Sequence, residues 1–296
     1  MISRRVVMTG VSAFLAVALA PAVDAAEDYL SSRVSIKAIG SGKDVILIPG
    51  LSSSPRVWRE MIDAVPGYRY HQVHIRGFAG LPKDGNSEGD VSAPVAEEIA
   101  RYIVERKLGT VDVIGHSMGG TIGMMLAARH PDTVSKLMVV DMMPFLGAMF
   151  GGPGATPETL KPIAESMRTS MLNAPAEAHA KELEATIAAY VRTESMRPVA
   201  LEDANKSDRD VASRAYAELI VTDLRPELTN ISAKSSIIYV TPTNAPIADA
   251  KLDAYMQAAY ANLKGATLRR APNAAHFVMW DNGPWFHAEV KSFFAD

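Results

Sequence analysis

Ser117 is the side chain in this sequence whose setting points most directly to chemistry. It lies in Gly115-His116-Ser117-Met118-Gly119, behind the β-branched run Val111, Val113, Ile114 and ahead of Thr121–His130, a stretch rich in helix formers that closes on Pro131. The pattern predicts a buried strand, a tight turn at the serine and then a helix, with glycines on both sides permitting close backbone packing. A hydroxyl held there stands at a strand end beside a helix N-terminus, whose unpaired N–H groups favour developing negative charge. That is a setting for nucleophilic attack, provided a base and an orienting acid are brought to it.

The strand-serine-helix unit resembles the nucleophile elbow of the α/β-hydrolases, and the resemblance covers roughly residues 33–296. It implies an α/β-hydrolase fold: a mostly parallel central sheet flanked by helices, carrying a helical cap insertion. Asp44–Leu51 reads as a buried strand running into Pro49-Gly50-Leu51, the position at which this family places an oxyanion donor. By resemblance the two donors are the backbone N–H groups of Leu51 and of Met118, the residue after the nucleophile. His276 stands in Pro272–Phe277, between the predicted strand Ala266–Arg270 and an apolar C-terminal helix, where the family places its general base.

The acid is less plainly marked. In most of the family it follows the strand equivalent to Ser236–Val240, and the usual position falls near Asn244, which is not a carboxylate. An amide cannot stabilise an imidazolium electrostatically, and the comparable change in a serine protease lowers the rate by about 10⁴. Asp141, at the end of the preceding predicted strand Leu137–Val140, is therefore the favoured acid, as in relatives that resemble haloalkane dehalogenases here. Asp249, Asn244, Asp223 and a site without an acid stay open. Dehalogenase and epoxide hydrolase activities are disfavoured, because both need an aspartate where Ser117 stands.

These side chains need a scaffold, and the chain is long enough to build one. Its 296 residues are 48% hydrophobic and 21% charged, ordinary for a folded protein. The net charge of −3 gives no bulk basic character, so no nucleic-acid partner is expected. No cysteine is present, which removes disulfides, a thiol nucleophile and thiolate metal ligands. His71 and His74 read as neighbours on one strand face but suggest no metal site, and no cofactor is required. Arg76, in the turn His71–Gly80, reads as a structural hydrogen-bonding residue.

Residues 1–25 resemble a Tat signal: Arg4-Arg5 after Ser3, then the apolar run Val11–Ala20 and small residues ending at Ala25 and Ala26. A periplasmic or secreted protein without an integral membrane span in its mature form is the expectation. The core is then 33–144 with 226–296, and 145–225 is the cap or lid. Pro162–Leu172, Ala176–Arg192 and Asp208–Leu224 show helical spacing, with Leu183, Ile187, Tyr190 and Val191 as periodic apolar positions. Phe145 and Met149 are candidate substrate-binding residues, and the apolar Met149 and Phe150 leave a homodimer open.

The activity these residues imply is serine-dependent hydrolysis of a small or medium apolar carboxylic ester through an acyl-enzyme. A lactone uses the same machinery. Carbon–carbon bond hydrolysis and other non-ester activities share the residues, and a non-catalytic binding protein on the same scaffold is a third class. Fold analogy does not choose among substrates.

Overall fold

The computed structural model describes residues 28–152, 154–243 and 247–295. The signal-like segment 1–25 and Asn244 lie outside the described residues. The chain opens with β1 (Tyr29–Leu30) and β2 (Val34–Gly40), followed by β3 (Lys43–Ile48), α1 (Arg59–Ala64) and β4 (Tyr68–Ile75). Next come α2 (Ser92–Glu105), β5 (Val111–His116), α3 (Met118–Arg129) and β6 (Val134–Val140). Five helices intervene before the next strand: α4 (Ala148–Gly151), α5 (Pro157–Asn173), α6 (Ala176–Tyr190), α7 (Arg197–Lys206) and α8 (Arg209–Val221). The chain closes with β7 (Lys234–Tyr239), α9 (Asp249–Ala259), β8 (Thr267–Arg270), α10 (Val278–Asp281) and α11 (Gly283–Ala295).

The strands form one eight-stranded sheet in the order β1-β2-β4-β3-β5-β6-β7-β8. β2 runs antiparallel to β1 and β4, and every pairing from β4 through β3 to β8 is parallel. The mostly parallel sheet flanked by helices expected from the sequence is present. Parallel strands are covered on both faces and so read as continuous apolar runs. In β3, Ile46 and Ile48 join one core layer while Val45 and Leu47 join the layer on the opposite face. The first layer takes in α2, α3 and α8 residues such as Ile99, Ile122 and Leu219, and the second takes in Trp58, Phe286 and Val290.

Strand order reverses at β3: the chain crosses to β4 on one side and returns to β5 on the other. Ligands of open α/β sheets bind beyond the carboxyl ends of strands at such a switch point. Here those ends lead into Pro49-Gly50-Leu51, Ser117 and Asp141.

One reading is corrected by the strand geometry. His71 and His74 are three residues apart on β4, so alternation sends them to opposite faces. His71 is buried between the Asp44 carboxylate (2.7 Å) and the Tyr102 hydroxyl (2.6 Å), whereas His74 faces the Phe78 carbonyl at 3.1 Å. Arg76 is structural, donating from Nε to Ser31 O at 2.5 Å and pairing with Asp84 at 2.8 Å. Among the described residues, no helix is long and apolar enough to cross a membrane.

Candidate active site

The turn between β5 and α3 places Ser117 at φ 53°, ψ −124°, a backbone conformation that L-residues rarely adopt. Its N–H donates to Val140 O at 2.9 Å, and its carbonyl accepts from Gly120 N–H at 2.7 Å. The turn is thereby fixed to the end of β6 on one side and to the first turn of α3 on the other. The side chain is half-buried, and its hydroxyl makes no hydrogen bond within the protein among the described residues. Contacts of this kind often tighten only with substrate in place.

One residue beyond Val140 the chain turns again. Asp141 has φ 51°, and its N–H donates to Ile238 O at 2.7 Å across the β6–β7 pair. Its carboxylate is divided between two donors: Oδ1 accepts the Val240 N–H at 3.1 Å and Oδ2 meets His276 Nδ1 at 2.6 Å. A carboxylate can only accept, so His276 Nδ1 carries the proton of this contact and Nε2 is the ring nitrogen left for the serine side. Tyr260 supports the same turn by donating to Met142 O at 2.7 Å.

His276 is held from beneath by His116. His116 Nε2 lies 2.9 Å from the His276 carbonyl, and the two imidazole rings are 4.6 Å apart. Burial, and then the neighbouring His276, hold His116 well below the usual histidine range, so it is neutral and donates through Nε2–H. Its Nδ1 has no hydrogen-bond partner among the described residues and faces the turn after β3. A Cβ built on Gly50 would lie 3.1 Å from that nitrogen and 3.1 Å from Ser117 Cβ, so the turn approaches this closely because residue 50 lacks a side chain.

Leu51 follows Gly50 and is half-buried, and its N–H donates to no backbone carbonyl among the described residues. Met118 is the first residue of α3, where an N–H has no intrahelical acceptor. Ser117, His276, Asp141, Leu51 and Met118 thus all gather at the carboxyl edge of the sheet.

The other candidate acids are engaged elsewhere. Asp249, at the start of α9, pairs with Arg270 at 2.6 Å, and Asp223 holds Arg225 through both carboxylate oxygens at 2.8 and 2.6 Å. The two candidate substrate-binding residues differ in exposure. Phe145 is 2% exposed, enclosed by Leu160, Ala164 and Ile220 with the Arg225 guanidinium over its ring at 4.6 Å. Met149 is 60% exposed on the four-residue helix α4. Tyr190, which the sequence marks only as an apolar position of a cap helix, lies with its ring 4.7 Å from that of His276. No local pattern signals this, because the contact joins residues 86 positions apart.

A family model described as "alpha/beta hydrolase fold" matches residues 44–283. Among curated relatives, the pimeloyl-[acyl-carrier protein] methyl ester esterase of Aeromonas hydrophila is 33% identical over 129 residues, 43% of this chain and 48% of that protein. The same esterase from Vibrio cholerae is 26% identical over 212 residues, 68% of this chain and 76% of that protein. In several of these relatives the chain spans about half their length. A hydrolase from Pseudomonas aeruginosa superposes with a TM-score of 0.74 at 18% identity, covering 92% of this chain and 100% of that one, a likeness of fold.

Proposed function

This chain belongs to the alpha/beta hydrolase fold family, and from that membership we propose that it is a serine hydrolase of carboxylic esters with small to medium apolar acyl groups. The observation that carries the reading is the 2.6 Å contact between Asp141 and His276 Nδ1, beside a serine on a strained strand-to-helix turn. The esterase names of the curated relatives support the ester class.

In this reading His276 Nε2 takes the Ser117 proton as Oγ bonds to the ester carbonyl carbon. The Leu51 and Met118 N–H groups stabilise the oxyanion, each donor being worth about 10²–10³ in rate. Asp141 holds the imidazole in its tautomer and stabilises the cation. The C–O bond to the leaving group then breaks, and His276 returns the proton to the departing alcohol. Water, deprotonated by His276, attacks the acyl-enzyme and releases the acid and free Ser117. The helices α4–α8 form the cap that excludes water and shapes the acyl pocket. Export through the Tat-like segment is part of the same proposal, and appearance of the chain in a periplasmic or culture-medium fraction tests it.

The decisive experiment is hydrolysis of p-nitrophenyl esters of increasing acyl length by the mature protein. Serine-dependent turnover with a chain-length optimum is expected, abolished by Ser117→Ala and by His276→Ala. Asp141→Asn is expected to lower the rate by about 10³–10⁴. Near-normal activity in Asp141→Asn removes that residue from the machinery. Labelling of Ser117 by a fluorophosphonate without turnover of any ester moves the substrate to lactones or C–C bonds.

A further inference from the structure

Helix α6 ends over the loop that carries His276, and it is pinned there by its backbone. Phe277 N–H donates to Tyr190 O at 3.2 Å, the Thr243 hydroxyl donates to Ala189 O at 2.9 Å, and Thr193 N–H donates to the Asp281 carboxylate at 2.9 Å. Asp281 in turn accepts the Ala275 N–H at 2.8 Å, so the same carboxylate fixes both the cap segment and the residue before His276. The Tyr190 ring is therefore seated against the imidazole by a rigid frame, 4.7 Å away and tilted by 48°.

What this frame leaves unused is the phenol hydroxyl. Tyr29, Tyr70, Tyr239 and Tyr260 each donate theirs to a protein acceptor, and Tyr102 shares its own with His71. The hydroxyls of Tyr68, Tyr216 and Tyr255 have no hydrogen-bond partner among the described residues, but of the described tyrosines it is Tyr190 whose ring lies against His276. The Tyr190 hydroxyl has no partner among the described residues, and the residue is 42% exposed. Burial of the phenol and the nearby Asp141 charge raise its pKa, so it remains a donor at any working pH. A phenol with an apolar body against a reacting group and an unpaired tip suits a ligand that is apolar along its length and carries one acceptor.

Which part of the substrate lies there follows from the reaction. His276 delivers its proton to the departing alcohol, so the leaving group is the part of an ester that stands beside the imidazole. We propose that Tyr190 is a specificity-determining residue whose ring forms the leaving-group wall of the site and whose hydroxyl donates to an oxygen acceptor on the alcohol portion of the ester. The inference rests on the ester-hydrolase reading above, and it narrows the substrate class to esters of ether- or hydroxyl-bearing alcohols.

The test uses two nearly isosteric esters of one acid, the n-butyl ester and the 2-methoxyethyl ester, which differ by one CH₂ replaced by an ether oxygen. Wild-type protein is expected to favour the methoxyethyl ester in kcat/KM. Tyr190→Phe keeps the ring and is expected to lower kcat/KM about tenfold on the methoxyethyl ester, the value of one hydrogen bond, and less than twofold on the butyl ester. Tyr190→Ala, which also removes the wall, is expected to lower both. An unchanged ratio in Tyr190→Phe, with butyl ester turnover intact, overturns the role of Tyr190 and leaves the ester-hydrolase reading standing. Absence of Ser117-dependent turnover of both esters in the wild type overturns both.

Discussion

At the scale of single residues, the glycines around Ser117 are explained by backbone approach. A Cβ built on Gly115 would lie 2.1 Å from Gly119 O, and one built on Gly119 would lie 2.1 Å from Ile48 O. Neither neighbour can rotate away, since both are main-chain oxygens. The motif is thus a three-way contact of β3, β5 and α3, and it holds Ser117 at a positive φ that costs about 1–3 kcal/mol and persists only because its surroundings fix it. Gly119→Ala is expected to destabilise the protein by about 2 kcal/mol or more through overpacking. Gly154→Ala, where nothing lies within 4 Å, serves as the neutral control. Equal denaturation midpoints for the two variants would refute the close-approach account.

At the scale of elements, the helices between β6 and β7 are fastened to the rest of the chain by carboxylates that bridge distant parts of the sequence. Glu218 on α8 accepts the N–H groups of Val91, Ser92 and Ala93 at 2.9, 2.8 and 3.1 Å, supplying the cap that α2 lacks from its own N-cap residue. Asp203 on α7 accepts both the N–H and the hydroxyl of Ser54, at 2.9 and 2.7 Å, and pairs with Arg56 at 2.7 Å. These bonds fix the stretch just past Leu51, so Asp203→Ala is expected to cost about 2–4 kcal/mol of stability and to lower kcat more than it changes KM. Wild-type stability and kcat in that variant would show that the turn is fixed from elsewhere. Such long-range fastenings explain what the sequence conceals. The inner strands and α3 were legible because both-face burial demands unbroken apolar runs. By contrast α1, α7 and α9 run for only six, ten and eleven residues, at or below the length over which a helical period shows in a sequence. The site shows the same division. Ser117 and its turn are local, whereas the pairing of Asp141 with His276 spans 135 positions, and the seat of Tyr190 depends on how α6 ends.

At the scale of the whole molecule, buried imidazoles set how stability responds to pH. His116, His71 and His74 are each held below the ordinary histidine range, burial being the largest cause in all three. For His71 the Asp44 carboxylate opposes that effect and Arg69 adds to it; for His74 the Phe78 carbonyl and Asp203 oppose it and Arg76 adds to it. The folded chain therefore binds protons on these rings less readily than the unfolded chain, whose histidines titrate near 6.5. With the unfolded state binding more protons, stability rises with pH through this window and falls as pH drops from about 7 to 5, at up to about 1.4 kcal/mol per pH unit for each ring. A second loss follows at lower pH. Burial alone would raise Asp44, but its bonds to Arg69 and His71 outweigh it and hold the carboxylate below its usual range. The stability it supplies is present above the ordinary carboxylate range and disappears as pH falls through its lowered folded value. Denaturant unfolding at pH 7, 6 and 5 is expected to give a decreasing free energy, and His71→Gln is expected to flatten that slope even though the variant is less stable at every pH. A slope that is flat or reversed in the wild type, or unchanged in the variant, would mean that the folded protein does not hold these histidines below their ordinary range.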